Sequence, residues 1–247
     1  MPITTILFDC DNTLVLSEPL AFAACADLSN AILDKYAPST PHRYLGPQLQ
    51  REFVGKNFRA LIAALEAKHG FSMPSEDVDG WVDQELGTTI AKIKADATPC
   101  EGSMEVLEEL PKEGRYQLAV VSSSALPRVL ASISKTGQDV YFPSSRVFSA
   151  ASMNPPTSKP NPAVYLHACE QLGVSPEECV AIEDSKAGAT AAKNAGIPLM
   201  GYVGPYYDEG EAEVKEAEKV LKEECGAKVV MHHWRDFREC LRRMEED

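Results

Sequence analysis

Two aspartates, Asp9 and Asp11, close a short apolar run in ILFDCDNTLV, residues 6–15. On an extended chain residues i and i+2 share a face, and two like charges held together there need a positive partner. Three later segments carry groups of a matching kind: hydroxyls in VVSSS (Ser122, Ser123), a cation in SKPNP (Lys159) and two more carboxylates in IEDSKAG (Glu183, Asp184). Clustered carboxylates of this kind call for a hard divalent ion with oxygen ligands. Magnesium suits the set better than zinc, because no histidine or cysteine completes a softer one. Beside a lysine and several hydroxyls it describes a phosphoryl site, where catalysis is mostly positioning and charge neutralisation. One carboxylate there can attack phosphorus and form an aspartyl-phosphate, while the other protonates the leaving oxygen and then activates water.

For these segments to meet, the chain must bring distant loops to one place. Residues 3–8 (ITTILF) read as a buried strand. Residues 18–98 carry helical spacing in three stretches, 18–36, 48–70 and 75–95. Beyond Pro99 strands and helices alternate, with strands at 117–122, 146–150, 179–184, 197–203 and 228–231 and an acidic helix near 209–224. That alternation predicts an α/β fold, a Rossmann-like parallel sheet core with helices on both faces. The first strand must join the sheet, because about eighty residues are too many for a structureless connection. The expected organisation is therefore a core of residues 1–17 and 99–247 and a smaller all-helical cap domain of residues 18–98. In open parallel sheets ligands bind beyond the carboxyl ends of the strands, where all the groups above fall.

The run FDCDNTLV resembles the first motif of the haloacid dehalogenase-like phosphohydrolases, VVSSS their second, SKPNP their third and IEDSKAG their fourth, in order and over nearly the whole chain. An insertion directly after the first motif is similar to the helical cap of the family's sugar-phosphate phosphatases and β-phosphoglucomutase-like members. The resemblance implies that Asp9 is the nucleophile and Asp11 the general acid and base, Asp11 also lending magnesium its backbone carbonyl. It further implies that Asp9, Glu183 and Asp184 complete the metal site, that Thr13 steadies Asp11 or the phosphate, and that Ser122, Ser123 and Lys159 bind the phosphate. Lys56 and Arg59, in GKNFR on the cap, are candidate substrate contacts, with a solvated helix start as the alternative. Asn12 stands where Gly is commoner and tolerates the same left-handed turn; Leu16 stands where Asp is commoner.

The expected activity is a magnesium-dependent phosphatase for small phosphate monoesters such as sugar, polyol or sugar-acid phosphates. A phosphomutase on the same scaffold is the alternative, although Ser124-Ala125-Leu126 replaces the cation and Asn that mutases carry after the second motif. A non-catalytic binding protein and a 2-haloacid dehalogenase are disfavoured by Asp11, Lys159 and Asp184. With 24 basic against 37 acidic side chains the formal charge is −13, which disfavours nucleic acid and anionic membranes as partners. Seven scattered cysteines without a C-x-x-C pair, and no signal-like start, read as a reduced cytoplasmic protein, with a monomer as the default. His232 and His233 read as edge residues pointing apart, and the constrained Lys159-Pro160 turn as a candidate for a cis peptide.

Overall fold

The structure, a computed structural model, describes residues 2–53 and 57–246. The chain divides into two compact units, Met1–Leu16 with Thr98–Asp247, and Ser17–Ala97. The first unit is built on six strands, β1 (Thr5–Phe8), β2 (Gln117–Ser122), β3 (Val147–Ser149), β4 (Cys179–Glu183), β5 (Leu199–Tyr202) and β6 (Val229–Met231). They run parallel in the order β3-β2-β1-β4-β5-β6, so the orphan first strand lies at the centre of the sheet. This is the α/β core that the alternation predicts.

Between β1 and β2 in sequence comes the helical unit: α1 (Glu18–Tyr36), α2 (Gly46–Phe53), α3 (Phe58–His69) and α4 (Ser75–Asp96). Its apolar stripes meet in a core of its own, including Leu28, Ile32, Leu49, Phe58, Ile62 and Leu65. The stretch 48–70 is two helices where its continuous spacing predicts one. Asn57 makes the restart: its backbone is extended (φ −77°, ψ 165°) and its Oδ1 accepts the Ala60 N–H at 2.9 Å, an N-cap.

The remaining helices are α5 (Ser103–Glu113), α6 (Leu126–Lys135), α7 (Ala163–Leu172), α8 (Lys186–Asn194), α9 (Glu211–Lys219) and α10 (Phe237–Glu246). The acidic helix expected near 209–224 runs as α9 and then a π turn at Val220–Glu224. All four residues of β1 are buried, as a strand covered on both faces must be. Leu7 joins a core with Val164 and Ala168 of α7 and Ala189 and Ala192 of α8. Phe8, one residue on and hence on the opposite face, meets Phe142 edge-on at 5.7 Å and stacks on Trp234 at 6.1 Å. Two packed faces thus hold β1 rigid up to Asp9. No helix among the described residues is long and apolar enough to cross a membrane.

Candidate active site

The site grows out of the end of β1. The Asp9 N–H donates to Ile182 O of β4 at 3.0 Å, which carries sheet pairing one residue past the strand. Then the chain turns sharply. Asn12 adopts φ 59° and donates its N–H to Val15 O at 2.7 Å, while the Leu14 and Val15 N–H groups both bond Cys10 O at 3.0 Å. Asparagine accepts the left-handed backbone that this turn demands, so the loop keeps its shape without glycine. Cys10, between the two acids, is fully buried, and burial pushes its thiol well above the usual range.

Lys159 enters from the loop before α7, as the residue preceding proline in a cis Lys159-Pro160 peptide. Its Nζ, 4% exposed as a side chain, donates to Asp9 Oδ1 at 2.5 Å, to Glu183 Oε1 at 2.6 Å and to Val121 O at 2.8 Å. These bonds use all three hydrogens of the ammonium. Burial works against the lysine's charge, but Asp9 and Glu183 outweigh it and hold the ammonium above its ordinary pKa. Asp9 shows the converse. Burial, offset only in part by Lys159 and reinforced by Glu183 and Asp11, pushes its carboxyl up to about 8.

Glu183 is fully buried at the end of β4. Tyr165 of α7 donates its hydroxyl to Glu183 Oε1 at 2.5 Å, and the Lys159 ammonium lies 5.2 Å from the Tyr165 ring centroid. The other oxygen, Oε2, has no hydrogen-bond partner among the described residues. Asp184 completes the group: its Oδ1 accepts Thr13 Oγ1 at 3.0 Å and its carbonyl accepts the Tyr206 hydroxyl at 3.2 Å. One carboxylate oxygen from each of Asp9, Glu183 and Asp184 lies within 4.8 Å of the others. An unsatisfied buried carboxylate oxygen costs free energy, and three hard oxygen donors at this spacing fit a divalent cation such as magnesium. The residues therefore suit the ion that the sequence implies.

The Asp11 carboxylate points elsewhere. Its Oδ1 accepts Arg128 Nη2 at 2.7 Å, and its Oδ2 accepts Ser124 Oγ at 2.7 Å and, more weakly, Ser122 Oγ at 3.4 Å. The two aspartates thus have different cations, Lys159 from the loop before α7 for Asp9 and Arg128 from α6 for Asp11.

Comparisons with known proteins give the family. Residues 3–196 match the family model of the haloacid dehalogenase-like hydrolases. The chain is a haloacid dehalogenase-like hydrolase. A phosphorylated carbohydrates phosphatase of Thermotoga maritima is 30% identical to it over 207 residues, covering 84% of this chain and 88% of that protein. The 6-phosphogluconate phosphatase of Escherichia coli is 24% identical over 198 residues, covering 80% and 81%. Among solved structures, a haloacid dehalogenase family hydrolase from Deinococcus radiodurans with bound phosphate and sodium superimposes with a TM-score of 0.71 at 25% identity, covering 98% of this chain and 96% of that one. The hydrolase is thus an enzyme of the phosphoric monoester hydrolase type.

Within the hydrolase, the expected site residues fall into three groups. Asp9, Lys159, Glu183 and Asp184 converge. Thr13 is fully buried and its hydroxyl donates to Asp184 Oδ1, so it orients a candidate metal ligand. Ser122 Oγ accepts the Ser124 N–H at 3.0 Å besides meeting Asp11, and Ser123 Oγ accepts the Lys159 N–H at 3.1 Å, so both brace the neighbouring loops. Arg59 belongs to α3 of the helical unit, exposed and ion-paired with Asp79. Lys56 lies outside the described residues. His232 and His233 do not point apart as expected. Both rings lie against Tyr207, at 6.2 and 5.1 Å, and the Tyr207 hydroxyl is 3.0 Å from His232 Nδ1.

Four residues of the site are additional to those expected. Ser124 and Arg128 hold Asp11, Tyr165 holds Glu183, and Gly188 leaves room for it, since a Cβ there would overlap the Glu183 carboxylate. A signal for Arg128 exists in the charge balance, because four carboxylates facing one lysine ask for a second cation near the strand ends. Tyr165 reads by its spacing as a core aromatic, and only its buried hydroxyl, which must find a partner, marks it.

Proposed function

We propose that this hydrolase is a magnesium-dependent phosphatase of small phosphorylated metabolites, of the sugar, polyol or sugar-acid phosphate kind, acting through a phosphoryl group carried on Asp9. The observation that carries the reading is the convergence of Asp9, Glu183 and Asp184 with Lys159 at the carboxyl ends of β1 and β4, a cluster that suits both a divalent ion and a phosphoryl group. When bound, the cation supplies charge neutralisation to the nucleophile and to the transferring group.

Asp9 attacks phosphorus, the bond from phosphorus to the ester oxygen breaks, and the departing oxygen takes a proton from Asp11. Asp11, now a carboxylate, takes a proton from water. The resulting hydroxide attacks phosphorus, the phosphorus–Asp9 bond breaks, and phosphate and free Asp9 are released. Lys159 stabilises the charge that gathers on the phosphoryl oxygens, and Ser122 with Ser123 keeps the β2 loop and the lysine loop in register. Residues 1–17 and 99–247 are the catalytic core in this reading, and 18–98 the cap, with Lys56 and Arg59 as candidate substrate contacts. The acidic surface agrees with a small free metabolite as substrate, and the reduced cysteines with a cytoplasmic protein, taken as a monomer.

The test is phosphate release from a panel of small phosphate esters with magnesium. Turnover is expected with the wild type and is lost with EDTA or in the folded Asp9→Asn variant. Absence of turnover of every ester by folded, magnesium-loaded protein would reject the reading, and interconversion of sugar phosphates without free phosphate would point to a mutase.

A further inference from the structure

We propose that Arg128 is a positioning residue for this reaction: with Ser124 it fixes the carboxyl group of Asp11 in one orientation, so that proton transfer between Asp11 and the leaving oxygen has a set geometry. The inference rests on the reading of Asp11 as the general acid and base. Asp11 stands on the turn beyond β1, its side chain 21% exposed, and without partners its carboxylate is free to turn about two bonds. The structure removes that freedom. Arg128, 18% exposed and in the first turn of α6, takes Oδ1, and Ser124, four residues earlier in the loop after β2, takes Oδ2. With both oxygens held by different donors, rotation of the carboxylate breaks at least one charge-assisted bond.

The division between the two aspartates strengthens the point. Lys159 spends its three hydrogens on Asp9, Glu183 and Val121 and has none left for Asp11. The orientation of Asp11 is therefore the task of a different loop, the one that joins β2 to α6. A lysine at position 128 would keep the charge without the planar fork of the guanidinium, so the two ought to differ in function as well as in strength.

The experiment compares kcat/KM of the wild type, Arg128→Ala, Arg128→Lys and Asp11→Ala on an alkyl phosphate, whose leaving oxygen needs a proton, and on p-nitrophenyl phosphate, whose leaving group does not. Arg128→Ala is expected to lose about 10- to 100-fold on the alkyl ester, since a displacement of about 1 Å costs about that much, and far less on the aryl ester. Added guanidinium should restore part of the loss in Arg128→Ala and none in Asp11→Ala, with Arg128→Lys intermediate. Equal losses on both esters without rescue would overturn the proposal, assigning Arg128 to the phosphoryl group or to the fold. Full activity of Arg128→Ala beside a crippled Asp11→Ala would overturn it while leaving the reading of Asp11 intact. Full activity of Asp11→Ala on the alkyl ester would overturn that reading as well. Should Arg128→Ala fail to fold, as judged by circular dichroism, Arg128→Lys carries the comparison.

Discussion

Glu183 is held on three sides. Lys159 and Tyr165 take its Oε1, and the backbone of Gly188 closes against the carboxylate so tightly that a side chain there would overlap it. A flexible side chain ordinarily yields to one extra methyl group, but this one is pinned and buried. Gly188→Ala is therefore expected to destabilise the protein by about 1–3 kcal/mol through overpacking, and to weaken magnesium binding as the carboxylate is displaced. Denaturant titration and calorimetric metal titration check the two effects separately; an unchanged metal affinity would show that the Glu183 carboxylate does not depend on this fit. The same local view explains why parts of the site are hard to see in a sequence. Asp9, Asp11, Glu183 and Asp184 announce themselves because charge at the end of an apolar strand is unusual, and Lys159 through the SKPNP segment that holds it. Arg128 does not, since an arginine in a first helical turn is ordinary on a protein surface, and only the fold shows that it turns towards Asp11.

At the scale of elements, apolar runs and their bounds were the legible part. QLAVVS is β2 to the residue, and EPLAFAACADLSNAILDKY is α1 to the residue, because burial on two faces or on one stripe leaves a clear pattern. The boundary between α2 and α3 was not legible, since apolar spacing continues from 48 to 70 and says nothing about where a backbone amide is capped by a side chain. That cap is testable. Asn57→Ala removes the acceptor for the Ala60 N–H and is expected to cost about 1 kcal/mol, with Asn57→Asp or Asn57→Ser restoring most of it. Urea unfolding followed by circular dichroism measures the difference; a loss of activity without a loss of stability would assign Asn57 a different role.

For the molecule as a whole, the balance of charge ties metal, proton and stability together. Asp9 has a pKa of about 8 in the fold against an ordinary 3.8, so between those values the folded protein holds a proton that the unfolded chain has released. Stability contributed by this group accordingly falls as pH rises through that window. A cation bound by the Asp9 carboxylate must expel that proton, and expulsion becomes easier as pH rises. Saturating magnesium is thus expected to raise the melting temperature more at pH 8 than at pH 6. Equal shifts at both values would mean that Asp9 is already ionised at pH 6.

Lys159 reaches from one loop to Asp9 after β1, Val121 in β2 and Glu183 in β4, three neighbouring strands of the sheet. Removing one partner of a buried ion pair costs about 3–5 kcal/mol, so this lysine serves the architecture whether or not any ester is turned over. Asp11 and Arg128 are partly exposed, so the loss of one leaves the other within reach of water. In a lineage released from selection for catalysis, drift should therefore erase the Asp11–Arg128 pair early and Lys159 late. A relative that has kept the lysine but lost that pair is better read as a retired enzyme than as an active one.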